Sequence, residues 1–257
     1  MTAAAGWAVV DAPPIITSAA SPQVGITADS LVSVFGPNIS TMNLVAPGPP
    51  WPTTLGDITS VTVTDSGNLQ KQAQILFISS GQMNLYLPAG LAAGPGTVSF
   101  PTTGLSPGVG TAALRVVPVN IQKVAPALFS AAGTGTGVAA ATGVRVSLAN
   151  QTQTPVSVFT CNSAAGCQAL AIDTGVDAPV YLSFYGTGIR GASSLSNVSV
   201  KIGNTTLPAL YAGAQVQTPG LDQLNVPLPI SLRGSGLVNV TVTIDGVTSN
   251  AVQIDIQ

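Results

Sequence analysis

Gln82-Met83-Asn84-Leu85-Tyr86-Leu87-Pro88 recurs later in the chain as Gln223-Leu224-Asn225-Val226-Pro227-Leu228-Pro229. Upstream of each copy lies an apolar run that ends on glycine, Leu31-Val32-Ser33-Val34-Phe35-Gly36 in the first case and Tyr181-Leu182-Ser183-Phe184-Tyr185-Gly186 in the second. The order is the same, and a duplicated module is the economical reading. Gly36 and Gln82 are 46 positions apart, whereas Gly186 and Gln223 are 37 apart. The longer first copy contains Ala46-Pro47-Gly48-Pro49-Pro50-Trp51-Pro52, which a loop insertion explains. Period-two alternation places Gln82 with Asn84, and Gln223 with Asn225, on one strand face. Met83, Leu85, Leu224 and Val226 then point the other way, into a core.

Composition narrows the class. Charged residues make up 6% of the 257 residues, against roughly 25% in an average globular chain. The surface is therefore built from Ser, Thr, Asn, Gln and Gly. Disordered chains combine low hydrophobicity with high net charge; here hydrophobic residues reach 46% and the formal charge is −2, so a folded chain is expected. Glutamate is absent and Lys and Arg total seven, which removes the residues that helices use on exposed faces. No basic cluster exists to neutralise several phosphates, so nucleic acid is not an expected partner. No apolar run of about 18 residues exists, so no membrane insertion is expected.

Short runs rich in Val, Ile and Thr, cut by Gly, Pro, Asn or Asp about every ten residues, read as antiparallel strands of a sandwich or barrel. Ile58–Thr64 before Asp65-Ser66-Gly67 and Gln74–Ile78 before Ser79-Ser80-Gly81 are examples. Asp245-Gly246 between Val238–Ile244 and Val247–Ile256 is the strongest hairpin signal. The expected organisation is an N-terminal tail over 1–20, a first β-domain over 21–120 and a second over 121–257. The tail begins Met1-Thr2-Ala3-Ala4-Ala5-Gly6-Trp7 with no basic residue, which suits an export signal poorly. Either a signal has been removed or the sequence is a piece of a longer chain.

Five segments in order carry a resemblance to a known family. They are Leu31–Gly36, Ile75–Pro88, Ala125-Pro126-Ala127-Leu128-Phe129, Phe184-Tyr185-Gly186-Thr187-Gly188-Ile189-Arg190-Gly191, and Leu210–Gly213 followed by Gly220-Leu221-Asp222-Gln223-Leu224-Asn225. Over roughly residues 25–257 the chain resembles the uncharacterised Solibacter-type C-terminal domain family of secreted acidobacterial proteins. The resemblance implies an extracellular setting and an all-β fold of two tandem immunoglobulin-like, plexin-type β-sandwich domains. It implies no catalytic activity.

Candidate chemistry is sparse. Histidine is absent, which removes the commonest general base and metal ligand and any Ser-His-Asp or Cys-His arrangement. The aspartates Asp57, Asp65, Asp222 and Asp245 stand singly in turn-like contexts, and no Asp-x-Asp-x-Asp calcium run occurs. No cofactor and no metal site is expected, and no enzyme. Gly186-Thr187-Gly188 and Gly133–Gly137 lack the Gly-Lys-Ser/Thr continuation of a phosphate loop. Cys161 and Cys167 are too few for a zinc site without histidine, and their gap does not suit a redox pair. A local disulfide closing a turn is expected, two free buried thiols being the alternative. Such a bond belongs outside the cytoplasm.

The best polar constellation is Gln82 with Asn84 and Gln223 with Asn225. These amides either contact a sugar or partner, or bond neighbouring backbone and pin loops. Trp51, between prolines, is the one aromatic ligand platform on offer, with packing against the domain end as the competing reading. Trp7, Val9, Ile15 and Ile16 form an apolar tail suited to β-strand addition on a neighbouring subunit. The preferred reading is a non-catalytic extracellular structural or interaction protein that self-associates through sheet edges and this tail, a surface-fibre subunit in its sharpest form. The alternative is a carbohydrate-binding or cell-surface accessory module of a larger secreted enzyme, with a surface polysaccharide as partner.

Overall fold

The computed structural model of the chain describes residues 12–22, 25–102, 113–164 and 166–257. Among these residues there is no α-helix; strands and two single-turn 3-10 segments account for the regular structure. The protein is all-β.

The first half folds as two five-stranded sheets. One has the order β1 (Ile15–Ser18), β3 (Ser30–Phe35), β8 (Gln82–Leu87), β7 (Gln74–Ile78), β4 (Leu44–Val45). The other runs β2 (Ile26–Thr27), β10 (Ala113–Gln122), β9 (Gly94–Thr102), β5 (Thr62–Thr64), β6 (Gln70–Gln72). In the second half, β12 (Ala141–Val146), β17 (Val180–Thr187), β21 (Asp222–Leu228) and β20 (Tyr211–Ala214) repeat the first order, with β11 (Ala127–Leu128) beside β17 and β13 (Gln153–Val156) added outside β12. Facing them are β16 (Ala171–Ile172), β24 (Val252–Ile256), β22 (Gly236–Ile244), β18 (Val198–Ile202) and β19 (Thr205–Pro208), with β23 (Val247–Thr248) on β22. Both halves place a two-residue strand parallel to the last long strand, β2 on β10 and β16 on β24. The duplication read from Gln-x-Asn thus extends to the connectivity of every principal strand.

Alternation does what the motif predicted. Met83, Leu85, Leu224 and Val226 are fully buried, while Gln82, Asn84, Gln223 and Asn225 lie half-buried on the opposite face. Each half encloses its own apolar core: the first runs from Ile26 to Ile121 in sequence, the second from Val124 to Ile256. Only Lys123 separates the end of β10 from the second core, so the halves meet without a linker. At Asp245-Gly246 both residues have positive φ (48° and 85°) and Ile244 pairs directly with Val247, the two-residue hairpin that Asp-Gly favours.

One expectation about the N-terminal region changes. From Ile15 the segment is no free tail: β1 is antiparallel to β3 of the same chain, with Ile15 opposite Phe35 and Ile16 opposite Val34. Ile15 and Ile16 therefore complete a sheet in cis, because β3 offers them a free edge next to their own sequence. Trp7 and Val9 lie outside the described residues. Three edge strands carry a blunting residue, Pro155 in β13, Pro208 in β19 and Lys71 in β6, whereas the edge strands β4 and β20 carry none. Proline removes a ladder donor and lysine resists burial, so neither accepts another strand readily.

Candidate functional site

Strand pairing builds the same polar cluster twice. In the first half Ser33 lies opposite Asn84, and the Asn84 Oδ1 accepts from the Ser33 hydroxyl at 2.9 Å and from the Gln82 side-chain amide at 2.8 Å. In the second half Ser183 lies opposite Asn225, whose Oδ1 accepts from the Ser183 hydroxyl at 2.9 Å and from Gln223 at 2.8 Å. The amides were expected to bond either a ligand or nearby backbone; they bond each other and a cross-strand serine. Those serines were missed. Each stands three residues before the glycine that ends the apolar run, so their coincidence in the two copies was the available signal. We expect Asn84→Ala and Asn225→Ala each to cost about 1–2 kcal/mol in urea unfolding, because each strands two donors. The loss should be larger for Asn84, whose partner Ser33 is buried.

A second cluster joins the two halves. Asp222 opens β21 and is 0% exposed. One of its oxygens accepts the backbone N–H groups of Ile189 (2.7 Å) and Arg190 (3.2 Å), and the other takes the Arg190 Nε at 2.5 Å. The far end of the same guanidinium reaches Asp29 of the first half at 2.8 Å, and Asp29 also accepts the Tyr86 hydroxyl at 2.7 Å. Burial pushes the Asp222 carboxyl above its usual range, opposed by the Arg190 charge and the backbone donors. Burial and the Asp29 hydrogen bond push the Tyr86 phenol up to about 12. Asp222, expected in a turn, is instead the buried anchor of an ion network.

Apolar and backbone contacts continue this seam. Leu31, Ala46 and Trp51 form a third buried cluster, packed by Leu76 and Tyr86 of the first half and by Phe129 and Leu221 of the second. The Leu31 N–H donates to the Thr187 hydroxyl at 2.9 Å, which in turn donates to the Gly220 carbonyl at 2.8 Å. Gly220 has φ of +74°, and a Cβ there would stand 2.8 Å from the Tyr86 ring, so only glycine fits. Phe129 donates its N–H to the Tyr185 carbonyl, and its neighbour Leu128 is fixed by Asn250, which accepts from the Leu128 N–H and donates to the Leu128 and Gly135 carbonyls. The Gly186, Gly188, Gly191 pattern serves close approach rather than phosphate: a Cβ at each would meet a backbone oxygen of residues 123–127 within 2.4 Å.

Trp51 is not a ligand platform. It is 9% exposed and tilted against Tyr86, with ring centroids 6.4 Å apart, because the insertion folds back against Leu31, Leu76 and Tyr86 of the first sheet. Asp65 and Asp245 do serve turns. Asp65 accepts three backbone N–H groups, from Ala92, Gly67 and Leu69, which hold its carboxyl below the usual range; Ser193 does the same for Asp245. Cys161 and Cys167 are bonded, S–S 2.06 Å, directly opposite each other on the hairpin of β14 (Phe159–Asn162) and β15 (Gly166–Ala169). Among the described residues no group of three or more Cys, Asp, Glu or His is placed to hold a metal ion, and no helix is long and apolar enough to cross a membrane. No family model matches the sequence, and no curated protein matches it either.

Proposed function

We propose that the chain is a non-catalytic extracellular structural or interaction protein, two immunoglobulin-like sandwiches in tandem acting as one stiff unit. The observation that carries this reading is the seam. In a chain with nine acidic and seven basic residues, Asp29, Arg190 and Asp222 are committed to fastening one half to the other. The two carboxylates brought together share a single guanidinium, and Asp222 is closed to solvent, so the pair suits fastening and not acid–base work. The Cys161–Cys167 bond supports a location outside the cytoplasm. The motif resemblance to the secreted Solibacter-type domains supports the same setting. The carbohydrate-binding alternative loses its platform with the burial of Trp51.

Cell fractionation with thiol alkylation tests the reading. The expected result is a chain accessible to antibody on intact cells, with both cysteines unreactive until reduced. A cytoplasmic chain with two alkylatable thiols would overturn it.

A further inference from the structure

The face that the second half partly covers on the first half, with a groove left beside Ser33 and Asn84, exists again on the second half, where nothing lies over it among the described residues. The strand registers make the correspondence explicit. Leu31 opposite Tyr86 matches Tyr181 opposite Pro227, and Ser33 opposite Asn84 matches Ser183 opposite Asn225. Phe77 opposite Asn84 matches Tyr211 opposite Asn225, so Leu76 corresponds to Leu210. On the first half Leu31 is 8% exposed beneath Phe129 and Leu221. On the second half, among the described residues, Tyr181 is 37% and Leu210 53% exposed. Between them a groove of about 290 Å³ is lined by Val144, Val146, Gln153 and Asn225. A contiguous apolar face with an amide cluster at its centre marks an interaction site.

We propose that this face is a seat for a second copy of the chain, whose first half docks on it as the second half docks on the first within one chain. Three observations select that occupant. The internal seam shows what the duplicated face receives: the end of a sheet pair of the same topology. The exposed Ile15 of the first half stands where Phe129 stands on the second, each paired with the aromatic residue that precedes the repeated glycine, Phe35 or Tyr185. The charges have changed in step on both sides. Asp29 of the covered face is replaced by Pro179 on the open one, and Arg190 of the covering end is replaced by Ser40 on the first half. An open face lacking the carboxylate suits an end lacking the arginine, since neither member of that ion pair is left without the other; the Asp57 carboxylate beside Ser40 is already held within the first half by the Ser40 and Thr41 hydroxyls and the Thr41 N–H. The contact joins two different surfaces, so it repeats head to tail.

This inference rests on the interaction-protein reading but is tested separately. Sedimentation velocity over a concentration series is run on the intact chain, on Leu210→Asp, on Ile15→Asp and on their equimolar mixture. Both positions are more than half exposed, so unchanged thermal midpoints are expected and confirm folding. The native chain should form a ladder of oligomers, and each variant should weaken association by roughly tenfold or more. The mixture should stop at dimers, because one variant retains only the seat and the other only the docking end. A native chain that stays monomeric at high concentration overturns the proposal, as do variants that associate like the native chain. Assembly that survives both substitutions but vanishes on deleting residues 1–11 also overturns it, in favour of tail addition, and leaves the interaction-protein reading standing. Binding of a neutral polysaccharide that Leu210→Asp abolishes, without any oligomers, makes the face a ligand site and likewise overturns it. Reactive cytoplasmic thiols would remove the extracellular reading while leaving the oligomer ladder to stand or fall by itself.

Discussion

Arg190→Met should lower the unfolding free energy by about 3–5 kcal/mol, because it leaves the Asp222 carboxylate buried without its counter-charge. The loss should depend on pH with a definite sign. Removing Arg190 removes two of the influences that oppose the upward push of burial on Asp222, so its folded pKa climbs further above the unfolded value. A group whose folded pKa is raised stabilises most below its unfolded pKa and loses that contribution as pH rises through the folded one. The deficit of the variant should therefore shrink in acid and widen toward neutral pH. Adding Asp222→Asn should recover part of the loss at neutral pH and flatten the profile. A deficit independent of pH, measured by urea unfolding across the acid range, would show that Asp222 is not the group left uncompensated.

Gly220→Val should separate the two halves. The substitution forces a β-branched residue to φ of +74° and drives its Cβ into Tyr86 and Leu31, costing about 2–4 kcal/mol from backbone strain and overpacking together. Displacing residue 220 also breaks the relay from Leu31 through Thr187 to the Gly220 carbonyl. Each half keeps its own core, so two calorimetric transitions are expected for the variant and one for the native chain. A single transition merely shifted to lower temperature would mean that the seam does not couple the halves.

What the sequence made legible was periodic or repeated. Alternation assigned Met83, Leu85, Leu224 and Val226 to the cores, and Asp245-Gly246 marked its hairpin, since both signals are local. The seam was not legible because it joins distant residues with no shared period. Asp222 looks like a turn aspartate beside Gly220, and Arg190 looks like a loop cation in a glycine-rich passage. The scarcity of charge was the hint: a chain with so few charged groups had two of them, Arg190 and Asp222, inside the segments that carry the family resemblance. Ile15 was misjudged, and Trp51 was left between two readings, for a related reason. Proline-flanked or terminal apolar residues carry no periodic signal, so whether they are covered depends on tertiary partners that composition does not name.

The short junction after β10 has a mechanical consequence. The strand that leaves the first half is laddered along its length to β9, from Ala113 opposite Thr102 to Ile121 opposite Gly94, and enters the second half after Lys123 alone. Tension applied between the halves has no slack segment to extend. It runs along β10 and loads those ladder bonds together in shear, with β2 lying parallel to the same strand at its loaded end. The second half repeats the arrangement, with β24 laddered to β22 and parallel to β16. A pulled chain would therefore resist stretching at the junction and yield abruptly once the ladder bonds give way.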